Sequence, residues 1–239
     1  MKNKLCRTGS LLLFLLSTCI FAQKHHFNVG IDGGYTSSIL HADLSNLVDS
    51  KYTTRPGFGV NLSGEYMVWK TFFVSTGIGL QQKNYQFERT GSRTGWYTRH
   101  TNNFLNIPLT VGAYILNNPY ETTGVWLKVE GGMYSDYWLS MKRKGRYPVF
   151  GELQENGTFN YTEVQDTYDF EKNENQLNRW MYGLTGKAQV GYSFKKFNVY
   201  GSYSYQHGLS DINKDNEDKN QKATIRSYMI SVGASYKFN

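Results

Sequence analysis

The sequence predicts an all-β fold: an eight-stranded antiparallel transmembrane β-barrel with short turns at one end and long loops at the other. Three observations carry this. The segment 228–238 alternates strictly, with Tyr228, Ile230, Val232, Ala234, Tyr236 and Phe238 on one face and Met229, Ser231, Gly233, Ser235 and Lys237 on the other. Only a β-strand puts alternate residues on opposite faces, so one face is apolar with aromatics at its ends and the other is small or polar. Seven further segments repeat the pattern, and the links between them alternate short and long.

The first segment is 27–35, with Phe27, Val29, Ile31, Gly33 and Tyr35 on the apolar face. The next are 58–68, 72–80, 105–115, 125–139, 180–194 and 199–205, the last the weakest because Gly201 interrupts it. Each is close to the roughly 9–11 residues that a tilted strand needs to cross a bilayer. Short links fall at 69–71, 117–124 and 195–196, and long ones at 36–57, 81–104, 140–179 and 206–224. That asymmetry is expected of periplasmic turns and outer loops. A soluble barrel or sandwich would turn its apolar face inward and would not collect aromatics at strand ends.

The segment 140–179 holds Asn156-Gly157 between β-prone runs, a hairpin signal that could make ten strands. Lys142, Arg143, Lys144 and Arg146 before it and Glu163, Asp166, Asp169 and Glu171 after it forbid a place in lipid, so it reads as an extension of the fifth and sixth strands above the membrane. Pro108 lacks an N–H and should mark a bulge or a locally broken ladder in the fourth segment.

Residues 1–22 have the form of a cleaved signal peptide: Lys2, Lys4 and Arg7, an apolar core from Leu11 to Phe21, and Ala22 before the cut. The rivals are an uncleaved anchor, too short at this length, and a lipoprotein modified at Cys19, which Thr18 disfavours. Residues 23–239 then form one domain. Both cysteines, Cys6 and Cys19, leave with the signal, so the mature chain has no disulfide, thiolate site or cysteine nucleophile. The net charge of +7 falls to +4 with the loss of Lys2, Lys4 and Arg7, and the remaining bases are mixed with acids, which gives no support for nucleic-acid binding.

The face opposite the lipid carries Asp32, Glu65, Lys128, Glu130 and Lys187 at similar heights, with Lys237 just below. Charges inside a barrel of this width must pair, so these five predict a lumen salt-bridge network. The histidines His25, His26, His41, His100 and His207 are dispersed, no metal-binding spacing occurs, and the glycine-bearing stretches are followed by no helix. The sequence therefore predicts no catalytic site, no metal and no cofactor.

Two short motifs carry a family resemblance. Asn103-Phe104-Leu105-Asn106-Ile107-Pro108-Leu109 resembles the "YLEIPL" strand, and Tyr203-Ser204-Tyr205-Gln206-His207-Gly208-Leu209 the "YSYGL" segment, of the PorT-like outer-membrane β-barrel domain family, among the OmpA/OmpX-like small barrels. The closing strand 230–238 is similar too, while Asn106 replaces the acid usual in the family and Gln206-His207 lengthen the seventh-strand exit. The resemblance implies a barrel in the outer membrane of a Gram-negative-type bacterium, with one branch of the family serving protein secretion and surface assembly. The expected function is a non-catalytic barrel whose surface loops bind an envelope, secretion or surface partner; the alternative is a narrow channel for ions or small solutes. Lys142, Arg143, Lys144 and Arg146 are the candidate contacts to lipopolysaccharide or a partner, unless the acids of the returning arm neutralise them.

Overall fold

A computed structural model of the chain describes residues 26–153, 159–214 and 222–238. The signal segment 1–22 and the Asn156-Gly157 turn lie outside the described residues. Ten strands follow in order: β1 Phe27–His41, β2 Ser50–Trp69, β3 Phe72–Gln82, β4 Tyr85–Arg89, β5 Tyr97–Leu116, β6 Gly124–Leu153, β7 Phe159–Thr167, β8 Trp180–Ser193, β9 Phe197–Gly208 and β10 Thr224–Phe238. Among the described residues no helix is long and apolar enough to cross a membrane.

Eight strands close the ring in the order β1-β2-β3-β5-β6-β8-β9-β10, each antiparallel to its neighbours. The seam is β1 against β10, paired without a shift from Phe27↔Phe238 to His41↔Thr224. Outside the ring's lower part, β4 bridges β2 and β5 above β3, and β7 lies on β6. β3 and β4 act as one strand interrupted at Lys83–Asn84. Asn side chains repair the break: Asn102 Nδ2 donates to the Lys83 carbonyl at 2.8 Å, and Asn84 Nδ2 to the Pro56 carbonyl at 2.7 Å.

The alternation sorts side chains as the pattern requires. Ile31, Val60, Leu62, Leu109, Val111, Ile230 and Val232 stand on the outer face, Val232 with 73 % of its surface open. Aromatics flank this band. Trp69 stacks on Phe72 and Phe194 on Phe197, with centroids 6.0 and 4.5 Å apart, beside the short turns. Amphipathic rings are favoured at that depth. Lys70 at one of these turns adopts φ 41°, the left-handed conformation of a two-residue hairpin.

Two expectations need correction. The loops expected at 36–57 and 81–104 are largely strand, because β1, β2, β4 and β5 continue above the apolar band. The hairpin of 140–179 extends β6, but its returning arm β7 is not continuous with β8. The chain breaks at Tyr168, since Tyr168 and Phe170 turn inward to cover the barrel mouth and are buried there with Phe104 and Trp138. Pro108 marks a locally broken ladder, one of the two outcomes expected of it, and not a bulge: it pairs with Tyr134 in register on the β6 side. On the β3 side the ladder stops between Thr76↔Leu109 and Gly79↔Asn106, and Thr76 Oγ1 donates to the Pro108 carbonyl at 2.9 Å across the gap. The missing proline N–H is the cause. The register shifts of β5 and β6 fall instead between Asn103 and Phe104 and between Tyr114 and Leu116.

Because Val232 faces lipid, Val232→Arg should weaken folding into vesicles by about 2–4 kcal/mol, whereas Val232→Ala should assemble normally. Heat-modifiable gel migration and guanidinium titration measure both, and equal stability of the two variants would contradict the assigned face.

Candidate functional site

The barrel interior is built in three layers. At the periplasmic end Met67, Phe73, Tyr114, Trp126 and Tyr200 form an apolar seal with Tyr120 of the β5–β6 turn packed on it. At the outer end Leu40, Tyr85, Phe104, Trp138, Met141, Tyr168, Phe170, Ile212 and Ile225 form a second seal. Polar side chains fill the space between.

That middle layer brings the five expected lumen charges together. The Lys128 ammonium contacts Glu65, and Lys187 Nζ lies 3.3 Å from Asp32 Oδ2. Glu65 also accepts from the Tyr114 hydroxyl at 2.6 Å, and Asp32 from Ser231 at 2.8 Å and from Asn61 Nδ2 at 3.1 Å. Glu130 accepts from Thr110 Oγ1 at 2.7 Å. Lys128 lies 4.8 Å from the centroid of the Phe73 ring, which joins the ion pair to the lower seal. Lys237 is not in this layer. It donates to the Pro119 and Phe194 carbonyls and to Ser193 at 2.6–2.7 Å, and so ties the closing strand to two periplasmic turns.

A second buried pair escaped the sequence reading. Lys83 Nζ sits 2.5 Å from Asp136 Oδ2, both side chains being 2 % exposed, and Asn106 Nδ2 donates to the other carboxylate oxygen at 2.6 Å. Asp136 shares the inward parity of Lys128 and Glu130, which was the available signal. Lys83 gave none, because it lies in the break between β3 and β4 that read as a loop. Cavities of about 60 and 20 Å³ remain in the layer, room for a few waters among polar walls.

Above the outer seal the strands continue as a crown. There the acids of β7 sit against the bases of β6. Arg143 Nε donates to Asp166 at 3.1 Å, its second nitrogen contacts the other oxygen, and Lys144 Nζ lies 2.8 Å from Glu163. Hydrogen bonds and charge from Arg143 and Lys144 hold the two carboxyls below their ordinary range. These pairs are therefore kept to a lower pH than unperturbed carboxyls would allow, and are lost as pH falls through the lowered range. Arg146 stacks over Tyr161 at 4.2 Å, and Lys142 makes no ion pair among the described residues.

The histidines stay apart. His26 packs on Tyr120 at the periplasmic end, His207 Nδ1 is 3.1 Å from the Tyr205 hydroxyl, and His100 is stacked on Tyr85 in the crown. Among the described residues no group of three His, Cys, Asp or Glu is placed to hold a metal ion.

Residues 21–214 match the family model described as outer membrane protein beta-barrel domain. The chain belongs to that family. As a member it is an outer-membrane β-barrel. No curated protein matches it in sequence. Among solved structures it is similar to the outer membrane protein OprG of Pseudomonas aeruginosa, at 14 % identity over 89 % of this chain and 96 % of that one, TM-score 0.49. It is also similar to Ail, the attachment invasion locus protein of Yersinia pestis (17 %, 88 % and 98 %, TM-score 0.39), and to the outer membrane protease OmpT of Escherichia coli (12 %, 89 % and 97 %, TM-score 0.48).

Two measurements follow from this geometry. Lys128→Met leaves the Glu65 carboxylate buried without its cation and should cost about 3–5 kcal/mol of stability, partly recovered in the double variant with Glu65→Gln. Guanidinium unfolding reads this, and an unchanged midpoint would refute the pairing. His100 should titrate at about 4, because burial and then the charges of Arg143 and Arg55 oppose its protonation. Since the unfolded chain takes up that proton at about 6.5, His100 withdraws stability as pH falls from about 6.5 to 4. The ring resonance followed by NMR gives the midpoint directly.

Proposed function

We propose that this protein is a non-catalytic, closed outer-membrane barrel whose crown binds an envelope, secretion or surface partner. The observation that carries the reading is the contrast between a packed interior and a structured exterior. Aromatic seals and paired charges fill the lumen, which weighs against the narrow-channel alternative. The β4–β5 and β6–β7 pairs instead extend the wall outward as a sheet, which supplies a pre-formed surface at small entropic cost. Val164 on β7 and Tyr147 on β6 are open there.

Lipid and lipopolysaccharide are proposed partners at the base of this crown. Arg143 and Lys144 are engaged by Asp166 and Glu163, so Lys142 is the base of the four best placed for a head-group phosphate, just above Leu139 of the lipid-facing band. The resemblance of 103–109 and 203–209 to the PorT-like family, one branch of which serves secretion and surface assembly, favours a partner of that kind. Residues 1–22 would direct the chain across the inner membrane and be removed.

A photo-reactive residue at Val164 should yield discrete protein adducts in intact cells, and the same residue at lipid-facing Val232 should not. Adducts identical at both positions, or none at Val164 or Tyr147, would overturn the reading. Changing Lys142, Arg143, Lys144 and Arg146 together to Gln should reduce co-purifying lipopolysaccharide while heat-modifiability is kept. Unchanged retention would remove the head-group contact.

A further inference from the structure

Where β2, β3, β5 and β6 leave the apolar band at the outer end, a cleft of about 420 Å³ opens on the lipid-facing side of the wall. Phe58, Val60, Leu80 and Leu139, all exposed, give it apolar walls. Its upper edge is different. Gln82, Asn103 and Ser140 stand side by side there, with Gln82↔Asn103 and Asn103↔Ser140 paired in register. Gln82 Nε2 donates to Asn103 Oδ1 at 3.2 Å, and Asn103 Nδ2 donates to Ser140 Oγ at 2.8 Å. Each amide nitrogen keeps a second hydrogen, and the Ser140 hydroxyl hydrogen has no acceptor among the described residues. The cleft is thus apolar below and edged with hydrogen-bond donors above.

Further out the same face turns basic. Lys142 pairs with Thr101 and Lys144 with Arg99, so Lys142 and Arg99 are diagonal neighbours across the β5–β6 ladder, roughly 7–8 Å apart. Lys142 makes no ion pair among the described residues. Arg99 Nε donates to Gln86 Oε1 at 3.0 Å, and its guanidinium lies over the Tyr97 ring at 4.6 Å. These contacts hold the group in place and leave its terminal nitrogens without a partner among the described residues. The acids nearby are already engaged, Glu163 by Lys144 and Glu88 by Lys51. An ammonium and a guanidinium at this spacing, with no acid between them, suit a phosphate.

We propose that this face binds the phosphorylated, multiply acylated sugar that anchors lipopolysaccharide. One acyl chain lies in the cleft, the carbonyl at the head of that chain accepts from the Gln82–Asn103–Ser140 row, and a phosphate sits between Lys142 and Arg99. Apolar surface, donors and cations follow one another outward in the order in which such a lipid presents chain, linkage oxygens and phosphate. Three neighbouring donors at one height match a sugar that carries several amide, ester and hydroxyl oxygens. The inference rests on the head-group contact proposed for Lys142, and adds to it a second cation, a hydrogen-bonding row and an acyl cleft.

The test is native mass spectrometry of the full barrel in detergent micelles, titrated with purified lipid A and, separately, with phosphatidylglycerol. One lipid A should bind per barrel, saturably and more tightly than phosphatidylglycerol. Arg99→Gln removes a charge-assisted contact and should weaken binding about tenfold, and Asn103→Leu breaks the row and should weaken it roughly three- to tenfold. Leu80→Trp should abolish binding by filling the cleft, and Val60→Trp fills it from β2 should the first variant fail to assemble. Val74→Trp, in the apolar groove at the periplasmic end, should leave binding unchanged. Heat-modifiable migration reports assembly of each variant. Phosphatidylglycerol bound as tightly as lipid A would overturn the proposal, as would lipid A binding unmoved by Arg99→Gln and by the filling variants. If those variants are neutral while changing the four bases of 142–146 to Gln still lowers co-purifying lipopolysaccharide, this site fails and the head-group contact stands; if the four-base variant is neutral too, both fail.

Discussion

Inside a bilayer no water can pair with a free backbone group, so a chain that crosses with strands must close them into a ring. The seam between β1 and β10 meets that constraint. It joins the first and last strands of the barrel over their full lengths in one register. Lys237 anchors the end of the seam to the turns at Pro119 and Phe194. Once the ring closes at eight strands, its diameter is fixed, and the interior is only wide enough for side chains. Every inward residue must then find its partner within a small cross-section.

The charged middle layer is the consequence. Asp32, Glu65, Lys128, Glu130, Lys187, Lys83 and Asp136 sit between two aromatic seals. Ion pairs there are screened little, and leaving either partner alone costs more than the pair itself contributes. The three carboxylates with a lysine partner are accordingly held by more than that lysine: Asp32 by Ser231 and Asn61, Glu65 by Tyr114, Asp136 by Asn106, while Glu130 accepts from Thr110. A network satisfied at this level is rigid. That packing leaves the outer end, where the walls rise past the lipid, as the place for the proposed function.

Much of this was legible in the sequence because period-two alternation reports directly on which face meets lipid. All eight membrane strands and the inward set Asp32, Glu65, Lys128, Glu130 and Lys187 came from parity alone. Parity fails where a bulge resets it. After Leu139 the inward residues of β6 are Met141 and Arg143 rather than even positions, so the basic run splits between faces in a way the pattern could not show. It also fails where a strand crosses water on both sides. β4 and the upper part of β5 have no lipid-facing stripe, and Tyr85 and His100 read as loop residues. Lys83 was invisible for the same reason, since only the fold brings residue 83 to residue 136. The cavity in the outer seal is the extreme case: Leu40, Tyr52, Tyr85, His100, Trp138, Tyr168 and Ile212 line it from seven separate stretches of chain.

The central claim is that the barrel is closed through its middle and works at its outer face. Single-channel recording of the purified protein in planar bilayers tests it most directly. The account predicts no steady conductance above that of the bare membrane, and the appearance of one when Lys128 and Lys187 are replaced together by Met. A large, stable conductance from the unaltered protein would contradict it.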